Sequence, residues 1–194
     1  MWWGRYSVRR WPACWPGRRH TRIMNDASTP AIREYRDGDA HGVRECVIEL
    51  QEFERRIDPR LRPGAAIADE YVTQVLERCR SWAGRIFVAE SSGVIAGMVA
   101  IFARVPFEEL DDPPGEFAIV SDLVVRSAFR RSGIGAVLLA EAERYARASG
   151  ATELRIGVLS GNRGARDLYS RAGFAPYLET LAKPLQALDD ASPG

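Results

Sequence analysis

Two arginines and two glycines lie close together in the segment 130–135, directly after the apolar run 116–125. Glycine lets backbone N–H groups come close to a ligand. A helix that begins at such a loop presents unpaired N–H groups and the positive end of its dipole. The segment is therefore suited to holding a pyrophosphate. The predicted contacts come from the loop and the first helical turn: Arg130, Arg131, Ser132, Gly133, Ile134, Gly135 and Ala136.

The residues after this loop disfavour two common phosphate motifs. A Walker loop requires Lys and then Ser or Thr after its last glycine, whereas Gly135 is followed by Ala136 and Val137. A dinucleotide fingerprint requires a third small residue where Leu138 stands. The loop therefore indicates another phosphate ligand, although Gly-x-Gly also occurs as a plain strand-to-helix turn.

A second group of candidate residues lies in the segment 162–174. Asn162, Ala165 and Tyr169 have the spacing i, i+3, i+7, which places them on one face of a helix. The small Ala165 would let a ligand chain pass closely, and Tyr169 would place a hydroxyl beside that ligand. The alternative is structural, with Asn162 as a helix N-cap and Tyr169 as a core aromatic residue.

Together the two segments resemble the coenzyme A site of the GNAT-superfamily N-acetyltransferases. The resemblance rests on Arg-x-x-Gly-x-Gly, which starts at Arg130, and on Asn-x-x-Ala-x-x-x-Tyr-x-x-x-Gly-Phe, which starts at Asn162. It extends over residues 32–183 and is strongest over 116–174. The sequence departs from the family pattern at Ser127, where many relatives carry proline.

The resemblance implies that the chain uses acetyl-CoA as a co-substrate, bound between two splayed parallel strands at 116–125 and 153–159. It implies that the pantetheine arm pairs with the backbone of three consecutive residues, Leu123, Val124 and Val125. It also makes Tyr169 the general acid toward the leaving thiolate. A free phenol titrates near 10 and is protonated at neutral pH, as this role requires.

Two carboxylates on the strand 116–125 are candidates for the general base that deprotonates an attacking amine. Glu116 and Asp122 are six positions apart, so we expect them on the same face of the strand. Burial would raise the pKa of either carboxylate, which suits a base. Three alternatives stay open: a structural role for Asp122, a solvated strand end for Glu116, and water molecules in place of a dedicated base.

Acidic side chains are concentrated where the resemblance places the acceptor pocket. They are Glu45, Glu49, Glu52, Glu54, Asp58, Glu108, Glu109, Asp111 and Asp112. They favour a cationic acceptor such as a polyamine, an aminoglycoside, a lysine side chain or an amino terminus. Because arginines are interleaved with them, a solvated acidic surface is the alternative.

A second class of function is a non-catalytic acyl-CoA-binding sensor or interaction domain on the same fold. It would keep Arg130, Gly133 and Gly135 but would have no need of Tyr169. The presence of that tyrosine favours the enzyme.

Hydrophobic periodicity predicts the element order β-α-α-β-β-β-α-β-α-β. This order indicates an α/β fold with one mixed, mostly antiparallel central sheet and helices on both faces. The resemblance identifies it as the acyl-CoA N-acyltransferase fold. The predicted strands cover 31–36, 85–90, 94–103, 116–125, 153–159 and 174–182, and the predicted helices cover 40–56, 66–80, 134–150 and 162–172.

Length and composition favour one globular domain with an appendage. The chain has 194 residues, 46% hydrophobic and 27% charged, with a formal net charge of +1. Residues 1–23 contain six arginines, four of the five tryptophans and no acidic residue. We therefore divide the chain into a basic extension at 1–27, a GNAT-like domain at 28–185 and a flexible tail at 186–194. The extension is expected to be disordered or to precede a natural start at Met24.

Several classes of protein are disfavoured by composition. Three dispersed cysteines and two histidines predict neither a disulfide framework nor a metal site, so no metal is expected. No apolar run approaches the roughly 18 residues of a membrane span. The near-neutral charge gives no general argument for nucleic acid. We expect a cytoplasmic protein whose partner is a small-molecule or peptide amine, without nucleic acid or membrane, and we leave a homodimer open.

Overall fold

One five-stranded sheet forms the centre of the molecule in the computed structural model, which describes residues 30–107 and 115–183. The strands lie side by side in sequence order; the first four are antiparallel and the last pair is parallel. The strands are β1 (Ala31–Glu34), β2 (Arg85–Ser91), β3 (Val94–Pro106), β4 (Glu116–Val125) and β5 (Leu154–Ile156). The helices are α1 (Ala40–Arg55), α2 (Gly64–Ser81), α3 (Ile134–Ala148) and α4 (Arg163–Arg171).

Helices cover both faces of the sheet, as the predicted fold class requires. On one face, α3 and α4 pack through an apolar stripe that includes Leu138, Ala142 and Tyr169. On the other face, α1 and α2 pack through side chains such as Val47 and Val75. Because β3 lies in the middle of the sheet, its residues 95–103 are all buried. Burial of these two apolar layers is the main driving force for folding.

A β-bulge interrupts β4 at Ser121. Ala100 of β3 pairs with Asp122, and the next residue, Ile101, pairs with Val120, so Ser121 is an extra residue in β4. An extra residue reverses which side chains face which side of a sheet. Before the bulge, Val120 packs against the α3 layer, whereas after it Val124 packs against the α1–α2 layer.

The bulge corrects the prediction that Glu116 and Asp122 share a face. Simple alternation holds only in a regular strand. With one residue inserted between them, the even-numbered residues change sides, and Asp122 points to the α1–α2 face. Glu116 lies on the side of the strand opposite to Asp122.

The predicted strand at 174–182 is absent from the sheet in the part of the chain that the structure describes. Pro176 lacks the N–H that a sheet ladder needs. The apolar side chains Tyr177, Leu178 and Leu181 are exposed rather than packed on the core. The described segment after α4 therefore has no regular secondary structure, and most of it is exposed.

The other boundaries differ by a few residues. β5 is shorter than the predicted 153–159, and β3 continues to Pro106, beyond the predicted end at 103. The predicted extension 1–27, the tail 186–194 and most of the acidic loop lie outside the described residues. Within the described ranges, no helix combines the length and apolarity needed to cross a membrane.

Candidate active site

The parallel strands β4 and β5 separate part-way along their length. They pair over three positions, from Ala118 opposite Leu154 to Val120 opposite Ile156. Beyond this point β4 continues to Val125, while β5 has ended. The edge of β4 over residues 121–125 therefore faces an opening instead of a neighbouring strand.

A cavity of about 130 Å³ lies at this opening. It is bounded by α1 and α2 on one side and by β4, the end of β5 and α4 on the other. The lining residues are Val47, Leu50, Gln51, Glu54, Tyr71, Ser121, Asp122, Leu123, Ile156, Gly157, Val158, Asn162, Ala165 and Tyr169. The described lining contains two carboxylates, two tyrosines and no cationic side chain, so it is suited to a cationic ligand.

The arginine- and glycine-containing loop connects β4 with α3 at one end of this opening. Gly133 is the N-cap of α3 and has a φ of 85°, a left-handed conformation that favours glycine. A Cβ at Gly135 would lie 3.6 Å from Val125 and 3.4 Å from Leu168, so the start of α3 lies against β4 and α4. The first turn of α3 carries no acidic residue, which leaves its free N–H groups suited to an anion.

Arg130 ties the loop to the strand before it. Its Nε donates a hydrogen bond to the carbonyl oxygen of Val125 at 3.0 Å. Its guanidinium lies over the ring of Phe53, 5.4 Å from the centroid, which links the loop to α1.

Ser132 donates a hydrogen bond from its Oγ to the carbonyl oxygen of Phe129 at 2.5 Å, within the same loop. Arg131 is exposed and has a φ of 67°. The loop is thus held by its own side chains next to the open edge of β4.

The helix α4 brings Asn162, Ala165 and Tyr169 to the cavity wall, as their spacing predicts. Asn162 is also the N-cap, because its Oδ1 accepts a hydrogen bond from the backbone N–H of Ala165 at 3.1 Å. The structural role of Asn162 therefore coexists with a place in the cavity.

Tyr169 is both a core residue and a cavity residue. Its ring packs against Phe174, with centroids 6.0 Å apart, and belongs to the α3–α4 layer. Burial, followed by the nearby carboxylates Glu54 and Asp122, raises the pKa of Tyr169 to about 12. The hydroxyl is therefore protonated at neutral pH and able to donate a proton.

Asp122 lies at the bottom of the cavity with its carboxylate almost completely buried. Oδ1 accepts a hydrogen bond from the hydroxyl of Tyr71 at 2.7 Å, and Oδ2 accepts one from Oγ of Ser121 at 2.7 Å. Burial raises the pKa of Asp122 and outweighs these hydrogen bonds, which lower it. Burial and the adjacent Asp122 also raise the pKa of Tyr71.

Glu54 is the cavity carboxylate that the sequence did not single out as catalytic. It lies on α1 and is half-buried, and burial together with the charge of Asp122 raises its pKa. A signal was present in the sequence, because Glu54 continues the apolar positions Val47 and Leu50 on one helix face. Tyr71, which orients Asp122, gave no comparable signal because tyrosine is common in amphipathic helices.

Glu116 is not brought to this site. It is exposed at the start of β4 and forms an ion pair with Arg104 at 2.7 Å. The three predicted pantetheine contacts lie on the open part of β4: the side chain of Leu123 lines the cavity, Val124 packs toward α1 and α2, and Val125 packs toward α3.

The described residues contain no group of three or more His, Cys, Asp or Glu side chains placed to hold a metal ion. The expectation that the protein uses no metal stays a prediction.

Comparison with known proteins identifies relatives of this chain in sequence. The sequence model of the acetyltransferase (GNAT) family matches residues 47–174. The thialysine N-epsilon-acetyltransferase of Bos taurus is 26% identical over 146 residues, which cover 73% of this chain and 82% of that protein.

Solved structures share the fold. A transcriptional regulator from Bacillus halodurans C-125 superposes with a TM-score of 0.63 at 22% identity, covering 80% of this chain and 99% of that chain. The aminoglycoside N-acetyltransferase AAC(6')-Iy, in complex with a bisubstrate analogue of CoA and acetylneamine, superposes with a TM-score of 0.59 at 18% identity. That match covers 82% of this chain and 100% of the other.

Proposed function

Since the chain belongs to the GNAT family of acetyltransferases, we propose that it transfers an acetyl group from acetyl-CoA to the primary amine of a cationic acceptor. The observation that carries this proposal is the cavity beside the open edge of β4, which holds two carboxylates and Tyr169. The sequence relative is named as an acetyltransferase of thialysine, and the structural relative as one of aminoglycosides. Both names describe acetyl transfer to amine-bearing molecules.

In this proposal the co-substrate lies along the open edge of β4. The first-turn N–H groups of α3, with Gly133 and Gly135, hold the pyrophosphate, and Arg130 and Arg131 supply positive charge. The left-handed Gly133 and the absence of acidic residues in the first turn fit an anion at this place. The backbone of residues 123–125 pairs with the pantetheine arm, because β5 does not occupy that edge. Asn162 and Ala165 border the same opening on α4.

The acceptor enters from the side of α1 and α2. Its ammonium group is attracted by the charges of Asp122 and Glu54, which no cationic residue of the described lining neutralises. Alignment of the amine nitrogen with the thioester carbon supplies much of the rate enhancement expected for such a site.

The reaction removes two protons from the nitrogen and returns one to sulfur. After the ammonium loses its first proton, the nitrogen lone pair attacks the thioester carbonyl carbon and a C–N bond forms. The C–S bond then breaks, and the thiolate takes the hydroxyl proton of Tyr169. The second proton leaves the nitrogen and restores Tyr169. The products are an N-acetylated acceptor and free CoA, with one proton released to solvent.

Direct binding tests the first half of the proposal. Calorimetric titration of the full chain with acetyl-CoA is expected to show micromolar binding, and the same titration with ATP or NAD is expected to show none. Absence of acetyl-CoA binding by folded protein would mean that the segment 130–135 is only a structural turn. Binding without turnover would favour the non-catalytic acyl-CoA-binding domain.

A further inference from the structure

Glu54 occupies a different environment from the other cavity carboxylate. It projects from α1 into the cavity that Tyr169 borders from α4. Among the described residues, its side chain forms no hydrogen bond and no ion pair, whereas several other acidic residues of α1 are paired with arginines. A half-buried carboxylate that is left unpaired inside a cavity is available to a ligand.

Asp122 is less available to a ligand than Glu54. Both of its oxygens accept hydrogen bonds, from Tyr71 and Ser121, and its side chain is almost fully buried. These contacts fix the carboxylate in one orientation. Asp122 is therefore held in a fixed position in the cavity wall, and it is less accessible to an incoming amine than Glu54.

We propose that Glu54 is the general base of the reaction, and that Asp122 positions the acceptor ammonium beside it. This assignment rests on the proposed function. A carboxylate oxygen of Glu54 takes one proton from the ammonium nitrogen, which frees the lone pair that attacks the thioester. The proton passes from Glu54 to solvent after the C–N bond has formed. Tyr169 donates to the leaving sulfur from the opposite wall, so base and acid are separate residues.

The charged and titratable groups around Glu54 determine the pH range in which it can act as a base. Asp122 of β4 and burial both raise the pKa of Glu54. Tyr71 of α2 and Tyr169 of α4 are neutral at physiological pH because their own pKa values are raised. Arg78 of α2 acts on Asp122 and Tyr71 by lowering their pKa values. A base must be deprotonated, so activity falls as pH decreases through a pKa above that of an ordinary glutamate.

The test is the pH dependence of kcat/KM for the full chain, measured with thialysine and with neamine as acceptors. For Glu54→Gln we expect a loss of about 100-fold near neutral pH, the typical contribution of a general base. The remaining activity should rise with pH as the acceptor amine loses its proton in solution. Glu77→Gln is the matched control, because Glu77 lies on an exposed part of α2 outside the cavity; its profile should match the wild type.

Two further measurements distinguish a catalytic role of Glu54 from a structural one. Calorimetric affinity for acetyl-CoA shows whether each variant is folded. Glu54→Asp keeps the carboxylate but moves it back by one methylene group. We therefore expect kcat to fall about 10-fold, while kcat/KM still decreases at low pH as in the wild type.

The outcomes separate the two proposals. An active wild type with an unchanged profile in Glu54→Gln, or an unchanged kcat in Glu54→Asp, would overturn the role of Glu54 and leave acetyl transfer intact. A wild type that binds acetyl-CoA but acetylates neither of these amines, nor spermidine or a lysine peptide, would contradict the proposed function and remove the assignment with it.

Discussion

Asp122 shows that one residue can serve both the fold and the site. Its buried carboxylate joins β4 to α2 through the hydroxyl of Tyr71. Burial raises its pKa above the ordinary value of 3.8. The folded chain therefore holds a proton at this carboxyl to higher pH than the unfolded chain does. By linkage, this group contributes stability at low pH that is lost as pH rises through its folded-state pKa.

The variant Asp122→Asn tests this linkage. Asparagine does not titrate, so the unfolding free energy of the wild type minus that of the variant should decrease as pH rises above 3.8. Each unit by which the pKa is raised corresponds to about 1.4 kcal/mol. Urea unfolding at a series of pH values measures the difference, in which the carboxylates that do not interact with Asp122 cancel. A difference that stays constant or increases with pH would show that Asp122 is not stabilised in its protonated form.

Tyr169 is the residue that we propose as the proton donor to the leaving sulfur. In Tyr169→Phe the ring is kept, so packing against Phe174 and binding of acetyl-CoA should persist. Loss of the proton donor should lower kcat by about 100-fold while KM for acetyl-CoA changes little. Steady-state kinetics measure both values. Tyr177→Phe, at an exposed position outside the cavity, is the control. If Tyr169→Phe retained full kcat, Tyr169 would be a core residue only.

At the scale of elements, the site depends on where β5 ends and α3 begins. The opening exists because β5 stops at Ile156 while β4 continues to Val125. The start of α3 then lies beside this opening through Gly135, close to Val125 and Leu168. A strand edge and a helix N-terminus are thus brought together, and both offer unpaired backbone N–H groups.

The variant Gly135→Glu tests the role of this helix start. A Cβ at this position would be in ordinary contact with Val125 and Leu168, and the glutamate side chain brings negative charge to the predicted pyrophosphate position. We expect the affinity for acetyl-CoA to fall at least about 10-fold, because loss of one favourable charge contact alone is worth about 1.4 kcal/mol. Ala140→Glu adds the same charge at an exposed position of α3 and should bind normally. Equal calorimetric affinity for both variants would contradict the assignment of the loop.

The elements differ in how far sequence predicts them. The periodicity of α1 and α3 and the turn at 91–93 are local signals, and these elements form close to where they are expected. The bulge at Ser121 depends on pairing with β3, which no local pattern encodes. For this reason the face of Asp122 and its separation from Glu116 were not predictable. The cavity role of Glu54 likewise depends on α1 packing beside β4.

At the scale of the whole molecule, the helical layers on the two faces of the sheet each contribute side chains to the cavity. The α1–α2 layer supplies Glu54 and Tyr71 to the side of the cavity that we propose for the acceptor, and α4 supplies Tyr169 from the other side. The family match at residues 47–174 contains all three of these residues. The proposed division at 28–185 contains that match, and the boundaries on either side of it remain a prediction.

The measurement that tests the central proposal most directly is acetyl transfer by the full chain. The protein is incubated with acetyl-CoA and one amine at a time, namely thialysine, neamine, spermidine or a lysine peptide. Free CoA thiol and the mass of the acceptor are then followed. We predict thiol release that requires an amine and one added acetyl group on the acceptor. Micromolar binding of acetyl-CoA with no acetylated product from any of these amines would contradict acetyl transfer to a cationic amine and favour a non-catalytic acyl-CoA-binding domain.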